Sequence, residues 1–144
     1  MSECLFRGYP TENFCSCAKI LMHMIIGLGI DLAEVSRYEF DAGTLAWFAR
    51  KIYTDEEVAY VMRKRNRAER FAGFFAAKEA TRKAFGHAIP WRQIGVTHER
   101  GGKPAIKLFG RAEALPAMRK VERIQLSITH TSLIAAAVVI LETA

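Results

Sequence analysis

The sequence predicts a single α+β domain in which a mainly antiparallel sheet packs on one long central helix. Its 144 residues, 51% of them hydrophobic, suffice for one buried core and are too few for two. A helix-like run from Glu69 to Gly86 carries Phe71, Phe74, Phe75 and Phe85 among alanines, the longest helical pattern in the chain. Short β-branched or alternating runs lie on both sides of it, two of them flanking Gly101-Gly102, a hairpin signal.

Residues 1–23 differ in character from the rest and read as an appended extension. An upstream start misassigned ahead of Met24 would explain them, and the domain itself occupies 24–144. All three cysteines, Cys4, Cys15 and Cys17, fall in this extension, so the core relies on no disulfide and fits a reducing cytoplasm. Cys15-Ser16-Cys17, with His23 as the nearby histidine, has the wrong spacing for zinc. Glu3 and Glu12, without an apolar core before a small-residue cleavage site, do not make a secretory signal.

Ile25 to Asp31 reads as a buried strand ending at Asp31, where a polar turn begins; Gly27 and Gly29 let another backbone or a ligand come close. Leu45 to Lys51 has an amphipathic helical pattern. Thr54-Asp55-Glu56-Glu57 is a capping box that starts a second helix near Asp55. The central helix follows, with Gly86 as its left-handed terminator. Ile94 to His98 and Ala105 to Phe109 alternate like the strands of a hairpin. Gly110 to Lys120 is helical, with Pro116 breaking or kinking it. Ile124 to Thr129 and Leu133 to Leu141 are two strands joined tightly through His130-Thr131-Ser132, with the histidine at the corner.

The formal charge is +6, and Arg63, Lys64, Arg65, Arg67 and Arg70 crowd one region with Glu69 as their offset. This favours an acidic partner, whether nucleic acid, polyphosphate or protein, although a solvated helix face has the same composition. No apolar run reaches the ~18 residues of a membrane-spanning helix, which predicts a soluble protein. No Walker loop, no Gly-x-Gly-x-x-Gly opening a helix and no serine-protease constellation is present; Gly27-Leu28-Gly29 lacks the third glycine. A basic module binding RNA or an acidic protein is the alternative to an enzyme, but no strand shows the paired aromatics of a base-stacking platform.

Four residues apart on one helix, Glu79 and Lys83 share a face. As an ordinary surface ion pair they would contribute only ~0.3–0.5 kcal/mol. Their alanine and phenylalanine surroundings point instead to a site. If Asp31 meets Glu79 across a cleft, two carboxylates and incomplete protein coordination fit magnesium, which keeps waters and takes phosphate oxygens from a substrate. Lys83 would then neutralise a phosphate. Asp31 alone would be a turn or cap residue. His130, after Ser127-Ile128-Thr129, could bind phosphate or shuttle a proton, and Gly101-Gly102-Lys103-Pro104 could admit a phosphorylated ligand.

Taken in order from Met24 to Glu142, these segments resemble the bacterial holo-acyl-carrier-protein synthase family of phosphopantetheinyl transferases. The resemblance rests on Gly27-Leu28-Gly29-Ile30-Asp31, on Phe75-Ala76-Ala77-Lys78-Glu79-Ala80 with Lys83, on Gly102-Lys103-Pro104 and on Ser127-Ile128-Thr129-His130. It implies transfer of the phosphopantetheine arm of coenzyme A to a serine of an acyl carrier protein, with magnesium as cofactor and adenosine bisphosphate as product. By resemblance, Asp31 and Glu79 hold Mg2+, and Glu79 also activates the serine hydroxyl directly or through water. Lys83 stabilises the leaving phosphate. Lys83, Gly102, Lys103, Pro104, His130 and Thr131 contact coenzyme A, while Arg37, Phe48 and Lys51 contact the carrier. A cytoplasmic homotrimer with sites between subunits is also implied, without membrane or nucleic-acid partners. One departure stands out: Phe74 lies where the family pattern usually carries arginine, with Arg70 one turn away as its substitute. Gly101 likewise replaces a commonly polar residue.

Overall fold

The computed structural model describes residues 24–143; the expectations placed on Cys4, Cys15, Cys17, His23 and the 1–23 extension lie outside the described residues. The first strand, β1, spans Met24–Glu34 and pairs antiparallel with β5, Ile134–Thr143. It does not stop at Asp31. Asp31 sits opposite Ala137 and pairing continues to Glu34 opposite Ile134, because β5 goes on offering backbone partners past the aspartate. Nor is β1 buried on both faces: Gly29 and Ala33 are buried, while Leu28, Ile30 and Leu32 on the opposite face are exposed.

The helices follow their caps. Asp41 accepts the Thr44 amide at 2.7 Å to start α1, Ala42–Lys51. The capping box at Thr54 is complete: its hydroxyl accepts the Glu57 amide and the Glu57 carboxylate accepts the Thr54 amide, opening α2, Asp55–Met62. The central helix α3 runs Arg67–Phe85 and ends at Gly86 with φ 61°. Strands β2, Ile94–His98, and β3, Pro104–Leu108, form the hairpin, with Gly101 and Gly102 supplying the positive φ of its turn.

Residues 110–120 are not one kinked helix. A 3-10 turn, Gly110–Ala114, leads into the short α4, Leu115–Met118, in whose first turn Pro116 lies. There the missing N–H of proline costs nothing, so it begins the helix instead of breaking it. Strand β4, Arg123–His130, includes the histidine, which pairs with Ala135. The corner lies beyond it: the Thr131 hydroxyl accepts the Leu133 and Ile134 amides at 3.1 and 3.2 Å. The strand order is β1-β5-β4, with β2-β3 as a separate antiparallel pair, so the fold is α+β as the sequence predicts.

The core forms where α3 lies on β1 and β5. Ala76, Ala77 and Ala80 are fully buried, and the helix comes so near that a Cβ on Gly29 would stand 1.9 Å from the Ala80 carbonyl oxygen. A Cβ on Gly27 would meet the Ala84 oxygen at 2.5 Å. The second backbone that the glycines leave room for is therefore α3 itself. Inside the helix layer, fully buried Lys78 pairs with fully buried Glu57 at 2.9 Å.

Because a carbonyl cannot rotate away as a side chain can, Gly29→Ala has to push α3 off the sheet. We expect a loss of unfolding free energy of about 2 kcal/mol or more, read as a lower urea midpoint at unchanged slope. An unaltered midpoint would mean that α3 backs away at no cost.

Candidate active site

Asp31 lies on the α3-facing side of β1, and Lys83 reaches it from the last turn of the helix. Its ammonium donates to Asp31 Oδ1 at 2.7 Å and to the Ile30 carbonyl at 2.9 Å. The sequence pairs Lys83 with Glu79 on one helical face, but the lysine goes to the strand. Glu79 is held by Arg82 instead, whose Nη1 donates to Oε1 at 2.6 Å, and by the Trp91 indole, which donates to the same oxygen. Oε2 of Glu79 and Oδ2 of Asp31 accept no hydrogen bond from the described residues.

Both carboxylates face Tyr38. Burial pushes its hydroxyl well above the ordinary tyrosine pKa, Arg37 opposes this, and the charges of Asp31 and Glu79 each raise it further. Tyr38 therefore stays a neutral phenol beside two anions. Among the described residues no three histidine, cysteine, aspartate or glutamate side chains gather, so a protein-only metal cage is not formed. Two carboxylates with one free oxygen apiece do fit magnesium, which needs few protein ligands when phosphate oxygens complete its shell.

Support for Glu79 comes from the neighbouring residue. The Lys78 ammonium donates to the Trp91 carbonyl at 3.1 Å and to the Ile94 carbonyl, as well as pairing with Glu57. Burial lowers the Lys78 pKa, while Glu57 pulls it back. Glu57 also accepts the Val96 amide at 2.7 Å. Lys78 thus fixes the backbone of the residue whose indole holds Glu79. Trp91, Arg82 and Tyr38 are site residues beyond those that the sequence predicts. Arg82 follows Glu79 by three residues and had a legible helical spacing, whereas Trp91 and Tyr38 come from separate segments that only folding brings in.

A cavity of about 210 Å³ opens beside the other half of α3, lined by Arg70, Phe74, His98, Gly102, Pro104 and His130, among others. This brings together three of the residues that the resemblance places against coenzyme A: Gly102, Pro104 and His130. Lys103 points away, donating to Gln125 at 3.2 Å, and Thr131 is occupied by its turn. Phe74 is buried in an aromatic group: Tyr60 stacks on His98 at 4.4 Å, and Phe74 lies 5.9 Å from Tyr60. Arg70 reaches the cavity wall one turn earlier. Burial, and then the charges of Arg70 and Lys64, lower the His98 pKa.

Of the three carrier-contact candidates, Arg37 and Lys51 are exposed. Phe48 is half-buried, stacked on Phe40 at 4.5 Å, and the adjacent Trp47 offers the larger exposed aromatic surface.

The chain is similar to known proteins over most of its length. The family profile of the 4'-phosphopantetheinyl transferase superfamily matches residues 27–137. The holo-[acyl-carrier-protein] synthase of Solibacter usitatus is 45% identical over 124 residues, covering 83% of this chain and 99% of its own. The crystal structure of the Neisseria meningitidis holo-[acyl-carrier-protein] synthase superposes with a TM-score of 0.73 at 29% identity, covering 83% of this chain and all of that one. The Bacillus anthracis holo-(acyl-carrier-protein) synthase, in complex with CoA (3',5'-ADP), superposes at 0.67 with 31% identity, covering 84% and 99%. With its fold, its signature helix and most of its length shared with these proteins, the chain belongs to the 4'-phosphopantetheinyl transferase superfamily.

Proposed function

We propose that this protein is a holo-acyl-carrier-protein synthase, transferring 4'-phosphopantetheine from coenzyme A to a serine of an acyl carrier protein, with magnesium held by Asp31 and Glu79. The observation that carries the proposal is the pair of carboxylates, each with one oxygen held by a cation and one oxygen free, on β1 and α3 within the residues that the family profile matches. When bound, magnesium supplies charge neutralisation at the pyrophosphate. The serine oxygen forms a bond to the phosphorus nearer the pantetheine arm, and the bond from that phosphorus to the bridging oxygen breaks, releasing adenosine 3',5'-bisphosphate. Glu79 takes the serine proton, directly or through water. Lys83 offsets charge growing on the leaving phosphate. The cavity beside Phe74 receives part of coenzyme A, with Gly102, Pro104 and His130 in its wall; contacts from Lys103 and Thr131 would require Lys103 to leave Gln125 and Thr131 to leave its turn.

The carrier contacts assigned to Arg37, Phe48 and Lys51 combine steering charge with an apolar anchor, and the net charge of +6 suits an acidic partner. We also place the protein in the cytoplasm; none of the described helices is long and apolar enough to cross a membrane. Residues 1–23 we read as an extension to a domain that starts at Met24, since the family match begins at Gly27 and a relative fits 99% of its own length into 83% of this chain.

Assembly as a homotrimer draws support from the sheet. Its outer face exposes Leu28, Ile30 and Leu32 on β1, a contiguous apolar stripe of the kind that marks an interface. In addition, Asp31 and the cavity wall at His130 belong to opposite edge strands, β1 and β4, with β5 between them. Apposing the sheets of neighbouring copies would let the carboxylates of one chain meet the cavity of the next.

Four outcomes check these assignments. Incubated with coenzyme A, magnesium and an apo acyl carrier protein, the enzyme should add one phosphopantetheine to the carrier by intact-mass spectrometry. Chelation or Glu79→Gln should reduce the rate by at least ~100-fold, and a Glu79→Gln enzyme of normal rate would remove the carboxylate from the mechanism. Arg37→Glu should raise KM for the carrier severalfold at unchanged kcat, whereas an unchanged KM would move docking elsewhere. Ile30→Asp should turn the trimer into a folded monomer with little transfer activity in sedimentation and mass assays; a fully active monomer would disprove the shared site.

A further inference from the structure

Arg82 has no role in the chemistry set out above, yet it is the cation that occupies Glu79. Resting on the assignment of Asp31 and Glu79 as the metal carboxylates, we propose that Arg82 is an exchangeable phosphate ligand. It neutralises Glu79 while the site lacks metal, and it passes to a diphosphate oxygen of the nucleotide substrate when a divalent cation takes the carboxylate.

Four observations lead there. Arg82 engages Glu79 through one nitrogen only, Nη1 to Oε1, so the planar fork of the guanidinium is largely unused. Its Nε is buried without any hydrogen-bond partner, and it is the one such side-chain atom among the described residues. Buried donors in native proteins are nearly always satisfied, and an orphan marks a missing water, ion or ligand. Third, the guanidinium carbon sits over the Trp91 ring, 5.0 Å from its centroid, a cation–π contact that supports the group from the ring face. Fourth, Arg82 is next to Lys83, which caps Asp31 as Arg82 caps Glu79, so both carboxylates carry a cation from the same helical turn.

Electrostatics then dictates a direction. A divalent cation held by Asp31 and Glu79 would repel the guanidinium and weaken its hold on Oε1. The diphosphate that accompanies the metal offers what the guanidinium lacks, paired anionic oxygens that match its fork. A lysine at 82 would carry the charge but lacks the rigid planar fork that meets two phosphate oxygens with parallel hydrogen bonds. Arg82 is thus a competitor of the metal in the free protein and a partner of the nucleotide in the complex, and these two roles have opposite signs on removal.

That opposition makes the test specific. Arg82→Met keeps the stem over Trp91 and deletes every donor. Mn2+ binding to the full-length protein without coenzyme, followed by electron paramagnetic resonance of free Mn2+, should tighten severalfold. Binding of coenzyme A in excess Mg2+, followed by calorimetry, should weaken on the order of tenfold, the loss of one charged hydrogen-bonded contact. Arg82→Lys should keep Mn2+ affinity near that of the parent and still weaken coenzyme A, which preserves the test if the methionine variant does not fold. Weaker Mn2+ binding in Arg82→Met would overturn the proposal and make Arg82 an orienting residue for Glu79. Unchanged coenzyme A affinity would overturn it and leave a structural ion pair. An Asp31→Asn/Glu79→Gln protein that binds Mn2+ as the parent does would instead refute the metal assignment, a failure separate from either Arg82 outcome.

Discussion

The backbone-to-backbone approach of β1 and α3 sets the positions of everything in the site. With Ala80 carbonyl oxygen only 1.9 Å from where a Gly29 Cβ would stand, the helix rests on the strand with no side chain between them. Only there could the ammonium of Lys83 span from the helix to both the Ile30 carbonyl and the Asp31 carboxylate. The alanines of α3 serve the same end: Ala76, Ala77 and Ala80 are buried because anything larger would lift the helix and separate Asp31 from the Glu79 face. Small residues in α3 therefore keep Asp31 and the Glu79 face together through packing.

A second constraint ties that helix to the rest. Lys78 and Glu57 are wholly buried charges, and such a pair is tolerated only when each remaining donor and acceptor is met. Here Glu57 takes the Thr54 and Val96 amides, and Lys78 gives to the carbonyls of Trp91 and Ile94. The start of α2, the middle of α3 and the entry to β2 are thereby joined at one point. Deleting one partner of a buried pair typically costs about 3–5 kcal/mol, since the other charge is stranded. Geometry suffers as well as stability, because the Trp91 carbonyl held by Lys78 and the Trp91 indole that holds Glu79 belong to one residue.

Much of this was legible in the sequence, for reasons that differ by element. The capping box at Thr54, the terminator Gly86 and the Gly101-Gly102 turn are local signals, and each lies where spacing predicts it. Asp31 as a strand end and Pro116 as a helix breaker misled because both depend on context: an antiparallel partner extends β1 past the aspartate, and a preceding 3-10 turn puts the proline in a first helical turn. Lys83 was tied to Glu79 by helical spacing alone, and a strand carboxylate 52 residues away in sequence outcompeted it. Phe74 in place of arginine became intelligible only with Tyr60 and His98 around it, since an aromatic cluster assembled from three segments has no sequence period.

The charge pattern of the site gives a reason for two cations where one would serve. Asp31 with Lys83 and Glu79 with Arg82 are two oppositely charged pairs, so each carboxylate already has a cation beside it. A divalent metal arriving with a diphosphate is itself close to neutral as a unit, and accepting it leaves the total nearly unchanged. On the proposed assignment, what would change is the pairing: the carboxylates would turn to the metal and the two cations to phosphate oxygens. Such an exchange of partners moves little net charge into a partly buried cleft, where an uncompensated charge would be most costly. A site built from Asp31 and Glu79 alone would hold metal more tightly, but it would repel the phosphates that have to follow.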